Sequence, residues 1–198
     1  MNPFVTPHGQ QDLVLASRSP RRAGILRGLG FDFIIDPAPE SLEDGVTHDD
    51  PFVVPGLLAV RKCAHVAARH PGALVLAADT VVIVDGEILN KPADDAQACA
   101  FLRRLAGRAH TVVTGVALRC DARGVALAAS ERTRVSFRNL DDGDIERYVA
   151  TGEGRDKAGS YAAQGVGAGL IRSVEGCFFN VVGLPVARVL DMLREVQT

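Results

Sequence analysis

The sequence lacks an excess of basic residues. Its 22 lysines and arginines stand against 24 aspartates and glutamates, which gives a formal net charge of −2 at pH 7. Proteins that bind nucleic acids or anionic membranes through a broad electrostatic surface carry a basic excess. We therefore expect neither a nucleic-acid partner nor a membrane partner, and any site for an anion must be local.

Cysteine pairs at metal-ligand spacing are also lacking. The four cysteines stand far apart, without a C-x-x-C pair. They are Cys63, Cys99, Cys120 and Cys177. This pattern predicts reduced thiols in a cytoplasmic protein, because zinc sites and disulfide frameworks need closely spaced or paired cysteines.

Long apolar runs are lacking as well, since none approaches the length that spans a bilayer. Residues 1–12, "MNPFVTPHGQQD", have neither the basic region nor the apolar region of a signal peptide, so we expect a flexible leader there. Residues 13–198 are long enough to bury a core and contain no repeat or clean linker. They predict one domain.

Strand and helix signals alternate along the chain. "DLVLAS" predicts a buried strand, a helix follows from Pro20 to a cap at Gly30, and "FDFIID" predicts a second strand. This β-α-β order is typical of α/β proteins. Residues 36–51 are acidic and rich in proline, so they predict a long loop, and such loops tend to be functional.

Later segments continue this alternation. A helix is predicted over about residues 55–69, with Leu57, Leu58, Ala64 and Ala67 on or near its apolar face. "ALVLAADTVVIVDGEIL" predicts a strand, a break at "ADT", and a second strand that turns at Asp85-Gly86. We predict a single α/β domain with two lobes around a cleft.

The stretch "LASRSPRR", residues 15–22, places two arginines in the first turn of a predicted helix. Ser19 is a favourable N-cap, and Pro20 suits the first helical position. A cation in this turn costs about 0.3–1 kcal/mol, because unpaired N–H groups and the helix dipole make that end positive. Arg21 and Arg22 therefore indicate either a solvated surface turn or a phosphate site.

Asp79 is the one charged residue in the apolar run from Ala73 to Val84. A buried carboxylate without a partner is costly, so this side chain needs a cation, a metal or solvent. It is either a turn aspartate that caps local N–H groups, or a metal ligand or base for water. Glu40, in the acidic loop, either joins Asp79 on one magnesium-type ion or is a solvated loop residue.

Two lysines and a glutamine complete the candidate ligands. Lys62 lies on a predicted helix among small apolar residues, where snorkelling to the surface is the default. Lys91, in "LNKP", lies between a strand end and a helix start, where a phosphate contact is feasible. Gln164 is the second-last residue of "RDKAGSYAAQG", and its amide could read donor and acceptor edges of a ligand. The alternating glycines that follow do not form a Rossmann fingerprint and are interpreted as strand or turn geometry.

The chain contains six motifs in order: "LASRSPRR", "AADTVV", "LNKP", "GRAHTVVTGVAL", "RDKAGSYAAQG" and "NVVGLP". Over about residues 13–193, their order and spacing resemble the Maf-like nucleotide pyrophosphatases. The resemblance implies an elongated, mixed α/β fold with a cleft, similar to the inosine triphosphate pyrophosphatases. It also implies an enzyme that cleaves nucleoside triphosphates to the monophosphate and pyrophosphate, with Mg²⁺, Mn²⁺ or Co²⁺ as cofactor.

The resemblance assigns roles to the candidate residues. Asp79 would be the proton acceptor and a metal ligand. The other residues implied around the triphosphate and its metal are Ser17, Arg22, Glu40, Lys62 and Lys91. The loop that holds Glu40 varies in length among relatives, so Glu43 is an alternative ligand.

Three further positions indicate the subclass. Arg21, Thr80 and Gln164 resemble the trio found in members that act on dTTP and UTP, so the expected function is a dTTP/UTP pyrophosphatase. Relatives that prefer 7-methyl-GTP carry an aromatic residue, Gln and Glu there. The alternatives are a 7-methyl-GTP-type pyrophosphatase and a nucleotide-binding regulator that restrains cell division through a partner. The resemblance also allows a homodimer.

Overall fold

The computed structural model describes residues 12–196, which form a mixed α/β fold of seven strands and six α-helices. The strands are β1 (Leu13–Leu15), β2 (Ile34–Ile35), β3 (Leu74–Val84), β4 (Glu87–Leu89), β5 (Ala109–Cys120), β6 (Val125–Phe137) and β7 (Ile171–Glu175). The helices are α1 (Pro20–Gly28), α2 (Val54–Ala67), α3 (Asp95–Leu105), α4 (Asp142–Ala150), α5 (Phe178–Val182) and α6 (Val186–Glu195). The predicted α/β class is confirmed.

The strands form one sheet in the order β2-β1-β3-β5-β6-β7, with β4 paired to β3. Strand β1 is parallel to both β2 and β3, whereas the pairs β3–β4 and β6–β7 are antiparallel. The predicted strand "FDFIID" is reduced to two residues, because the three-residue β1 offers few partner positions at this edge. Within residues 12–196, no helix is both long and apolar enough to cross a membrane.

The described residues divide into two compact units. The first comprises 12–79, 114–131 and 183–196, and the second comprises 80–113 and 132–182. In the first unit, β1, α1 and α6 contribute to one apolar core, and α2 contributes to another with β1 and β3. In the second unit, the apolar residues of α3 and α4 pack together with those of β4 and β6.

The predicted break at "ADT" is wrong. Strand β3 runs without interruption from Leu74 to Val84, and Asp79 and Thr80 lie within it. A turn would have let the Asp79 carboxylate reach solvent, but in the structure the ammonium group of Lys62 neutralises it instead. A charged residue therefore fits inside the strand because another element supplies its partner.

The predicted apolar face of the second helix is also wrong in part. Leu57 is 43% exposed, and Ala64 is only half-buried. The predicted residues Leu58 and Ala67 are buried, and the buried face also includes Cys63. The glycine-rich segment after Gln164 forms a 3₁₀ helix before β7, in agreement with the turn interpretation.

His110 of β5 is buried in the second unit, and its Nε2 hydrogen-bonds with the Tyr161 hydroxyl at 2.7 Å. Burial lowers the pKa of His110 from 6.5 to about 4. Between these values the unfolded chain binds a proton that the folded protein does not bind. The free energy of unfolding therefore falls as pH decreases from about 6.5 to 4, by at most about 1.4 kcal/mol per pH unit from this group.

We expect the substitution His110→Gln to flatten the pH dependence of stability over this interval, because glutamine keeps a polar group near Tyr161 but does not titrate. Urea denaturation at a series of pH values measures the slope. The matched control is His65→Gln, on the exposed side of α2. This variant should keep the contribution of His110 to the slope of the unfolding free energy against pH. A His110→Gln profile as steep as that of the wild type would contradict the prediction.

Candidate active site

Two predicted site residues lie just beyond a parallel pairing in the first unit. Leu15 is in register with Leu76, and the Ala16 N–H donates to the Leu76 carbonyl at 2.8 Å. Ser17 lies two residues after the end of β1, and Asp79 lies three residues beyond Leu76 along β3. Ligands of α/β sheets bind outside the carboxyl ends of parallel strands. The topology therefore brings Ser17 and Asp79 to the edge where a ligand is expected.

The start of α1 fixes the side chain of Arg22. Ser19 is the N-cap, and its Oγ accepts a hydrogen bond from the Arg22 N–H. The Ser17 Oγ accepts hydrogen bonds from the Ser19 N–H at 3.2 Å and from Arg22 Nη1 at 3.0 Å. Arg22 Nε donates to the Gly183 carbonyl at 2.7 Å. These contacts set the direction of the guanidinium group.

Lys62 lies on the buried face of α2 and is only 8% exposed, so the expected snorkelling is wrong. Its Nζ lies 2.5 Å from Asp79 Oδ1 and 2.7 Å from Glu43 Oε1. The buried residues of this face follow helical spacing and are Leu58, Ala59, Lys62, Cys63, Val66 and Ala67. Lys62 thus joins two carboxylates from different segments into an acid–cation cluster, formed by Asp79, Lys62, Glu43 and Arg22.

Electrostatics within the acid–cation cluster depend on burial. Burial raises the pKa of Asp79, while Lys62 and Arg22 oppose this shift. Burial also lowers the pKa of Arg22, and the Asp79 carboxylate opposes that shift. Removal from water disfavours the charged form of each group. A carboxylate with a raised pKa is the better proton acceptor, so Asp79 suits the part of a general base.

The two candidate loop acids occupy different positions. Within the loop predicted over residues 36–51, a 3₁₀ helix runs from Glu40 to Glu43. The Glu40 side chain is 69% exposed and pairs with Arg18 at 3.0 Å. The Glu43 side chain is 39% exposed and contacts Lys62. The structure therefore brings Glu43 into the acid–cation cluster, and a role for Glu40 stays a prediction.

The carboxylates of Asp79 and Glu43 fit a hard divalent cation. Magnesium-type ions use one or two protein carboxylates and complete their shell with water and substrate phosphates. Among residues 12–196, no group of three or more His, Cys, Asp or Glu side chains could hold a metal ion alone. The donor set thus resembles a site that binds its metal together with a phosphorylated ligand.

The specificity candidates lie in both units. Arg21 is a half-buried residue of α1, in the first unit, and Thr80 directly follows Asp79 on β3. In the second unit, Lys91 is exposed between β4 and α3. Gln164 is exposed and extended, directly before the 3₁₀ helix Gly165–Leu170. Their roles as ligands stay predictions.

Two groups in the first unit were not singled out from the sequence. The Gly183 carbonyl fixes Arg22, although "NVVGLP" indicated only that the segment belongs to a family motif. Arg18 pairs with Glu40 at the surface. No local pattern signals either contact, because each joins distant segments. The spacing of Lys62 among buried α2 positions was the one available signal for its burial.

The fold and the acid–cation cluster define an α/β protein with buried charges beside a parallel strand pair. A family model described as "Maf-like protein" matches residues 12–196, so the chain belongs to the Maf-like family. It is 50% identical to the dTTP/UTP pyrophosphatase of Symbiobacterium thermophilum over 93% of this chain and 94% of that protein. It is 49% identical to the dTTP/UTP pyrophosphatase of Pelotomaculum thermopropionicum over 93% and 96% of the two chains.

Proposed function

We propose that this chain is a nucleoside triphosphate pyrophosphatase that converts dTTP and UTP to their monophosphates and pyrophosphate. The names of its relatives, which match nearly the whole chain, support this substrate class over 7-methyl-GTP. The observation that carries the proposal is the contact of Lys62 with both Asp79 and Glu43, whose charges also interact with that of Arg22. A protein that only bound nucleotides would have no need of a buried base.

In the proposed reaction, water attacks phosphorus and the phosphoanhydride bond between the α and β phosphates breaks. Asp79 accepts the proton of the water, and pyrophosphate leaves with the bond's electron pair. Arg22 and Lys62 stabilise the charge that develops on the leaving group. At an effective dielectric constant of 20, one cation about 4 Å from a phosphate charge contributes up to about 4 kcal/mol. A local set of cations is therefore sufficient, despite the net charge of −2.

A divalent cation belongs to this proposal, with Mg²⁺, Mn²⁺ or Co²⁺ as candidates. Asp79 and Glu43 would hold it, since both carboxylates reach the same ammonium group. When bound, the ion would neutralise phosphate charge and polarise the reacting phosphorus. Glu40 is the alternative to Glu43.

Further contacts to the nucleotide complete the proposal. Ser17 and Lys91 would contact the phosphates, and Arg21, Thr80 and Gln164 would select the base. A cytoplasmic location and a homodimer also remain predictions.

The test is a release assay with purified protein, Mg²⁺ or Mn²⁺, and a panel of dTTP, UTP, CTP, ATP, GTP and 7-methyl-GTP. We expect pyrophosphate and the monophosphate from dTTP and UTP, at least about tenfold faster than from the other nucleotides. A reaction with EDTA in place of metal is the control for cation dependence. If no nucleotide releases pyrophosphate, the proposal that the chain is a pyrophosphatase is wrong. If the protein prefers 7-methyl-GTP, the proposed substrate class is wrong.

A further inference from the structure

The short segment that carries Gln164 is held on both sides by two side chains of the second unit. These side chains are Tyr148, in the last turn of α4, and Glu153, just after that helix. They contact backbone N–H groups before and after Gln164. We call this arrangement, made of Tyr148 and Glu153, the acceptor clamp.

On the N-terminal side of Gln164, the clamp acts through Tyr148. The Tyr148 hydroxyl accepts a hydrogen bond from the Ala162 N–H at 3.0 Å and donates one to Glu153 Oε2 at 3.1 Å. Tyr148 is only 4% exposed, and burial raises its pKa. The Tyr148 hydroxyl therefore stays protonated and is the donor in its hydrogen bond with Glu153.

On the C-terminal side, the clamp acts through both oxygens of Glu153. Oε1 accepts from the Val166 N–H at 2.9 Å, and Oε2 accepts from the Gly167 N–H at 2.7 Å. Gly165 has a φ of 72°, and a Cβ there would stand 2.1 Å from Glu153 Oε1. The carboxylate thus occupies the space that a side chain at Gly165 would fill, which ties the turn closely to Glu153.

We propose that Glu153 is a positioning residue for base selection, which acts by fixing the backbone around Gln164. This inference rests on the proposed function, in which the Gln164 amide reads the base. The site requires a carboxylate, because two N–H groups and one O–H group all donate to it. A glutamine in its place would turn an N–H group toward one of these donors, so that at least one of the three hydrogen bonds would be lost.

The experiment is a double-mutant cycle in which Glu153→Gln is made in the wild type and in Gln164→Ala. The readouts are kcat and KM for UTP and for CTP, with metal. We expect Glu153→Gln alone to raise KM for UTP about tenfold, to change kcat by less than about threefold, and to lower the preference for UTP over CTP about tenfold. In the Gln164→Ala background, the same substitution should lower the preference by less than about twofold.

The control is Glu146→Gln, which makes the same chemical change on the exposed side of α4 and should leave the preference for UTP unchanged. Tyr148→Phe takes the place of Glu153→Gln if the latter does not fold, because it releases Ala162 while Glu153 keeps Val166 and Gly167. Equal effects of the clamp substitution in both backgrounds, or an unchanged base preference, would overturn the inference alone. Failure of the wild type to hydrolyse UTP would overturn the proposed function instead.

Discussion

Asp79→Asn is expected to lower kcat for UTP by about 10³-fold, while KM changes by less than about threefold. Asparagine has nearly the shape of aspartate but accepts no proton from water. The cations Lys62 and Arg22 remain to bind the triphosphate, so substrate affinity should persist. Steady-state pyrophosphate release measures kcat, and titration with a nonhydrolysable UTP analogue measures binding. Turnover like that of the wild type would remove Asp79 from the role of base.

The pH dependence of kcat gives the same residue a second readout. Asp79 must be deprotonated to act, and burial raises its pKa above the ordinary value of 3.8. The rate should therefore fall as pH decreases toward the range in which Asp79 is protonated. Asp36→Asn is the matched control, because Asp36 is a carboxylate of the same unit that pairs instead with Arg69 and His70. It should leave kcat within about twofold of the wild type.

The helix start at α1 could be predicted because its signals are local. Ser19, Pro20 and Gly30 fix the ends of the segment through rules that depend on neighbouring residues alone. The structure confirms the N-cap and places Gly30, with a φ of 76°, directly beyond the C-cap Leu29. The conflict of cations with the helix dipole indicated Arg22 as a candidate, and in the structure its charge interacts with that of Asp79.

The acid–cation cluster could be predicted only as a set of residue types. Lys62 lies 17 residues from Asp79 and 19 from Glu43 along the chain, so no local pattern specifies their contacts. The resemblance favoured Glu40 over Glu43 in the loop between β2 and α2, whereas in the structure Glu40 pairs with Arg18 and Glu43 contacts Lys62. The incorrect prediction of a break in β3 has the same cause. A charged residue fits inside a strand only when a partner from a distant segment balances its charge, and no local pattern indicates that partner.

The acceptor clamp was outside the reach of sequence patterns. Glu153 reaches N–H groups 13 and 14 residues further along, through a turn whose geometry depends on Gly165. The sequence marked Gln164 through its motif and chemistry. It did not indicate Tyr148 and Glu153, because side chains that accept hydrogen bonds from backbone N–H groups produce no periodic pattern in the sequence.

Lys62→Met is expected to lower the free energy of unfolding by about 3–5 kcal/mol at neutral pH without metal, because it leaves the Asp79 and Glu43 carboxylates without their shared ammonium. The loss should shrink as pH decreases, since protonation of the buried Asp79 removes the charge that Lys62 balances. Adding Mg²⁺ should restore part of the stability, because a divalent cation that binds the folded protein alone stabilises it by mass action. Urea denaturation with EDTA and with Mg²⁺ measures both effects.

The neighbouring Arg61→Met provides the matched control for Lys62→Met. Arg61 is exposed on the same helix and donates to the Asp44 carbonyl, so its loss should cost less than about 0.5 kcal/mol and respond little to Mg²⁺. A second variant, Lys62→Met with Asp79→Asn, should recover stability relative to Lys62→Met alone, because the buried Asp79 charge is gone. If Lys62→Met is as stable as Arg61→Met in EDTA, the ammonium does not hold the two carboxylates together. In that case Arg22 would be the residue that balances the charges of the two carboxylates.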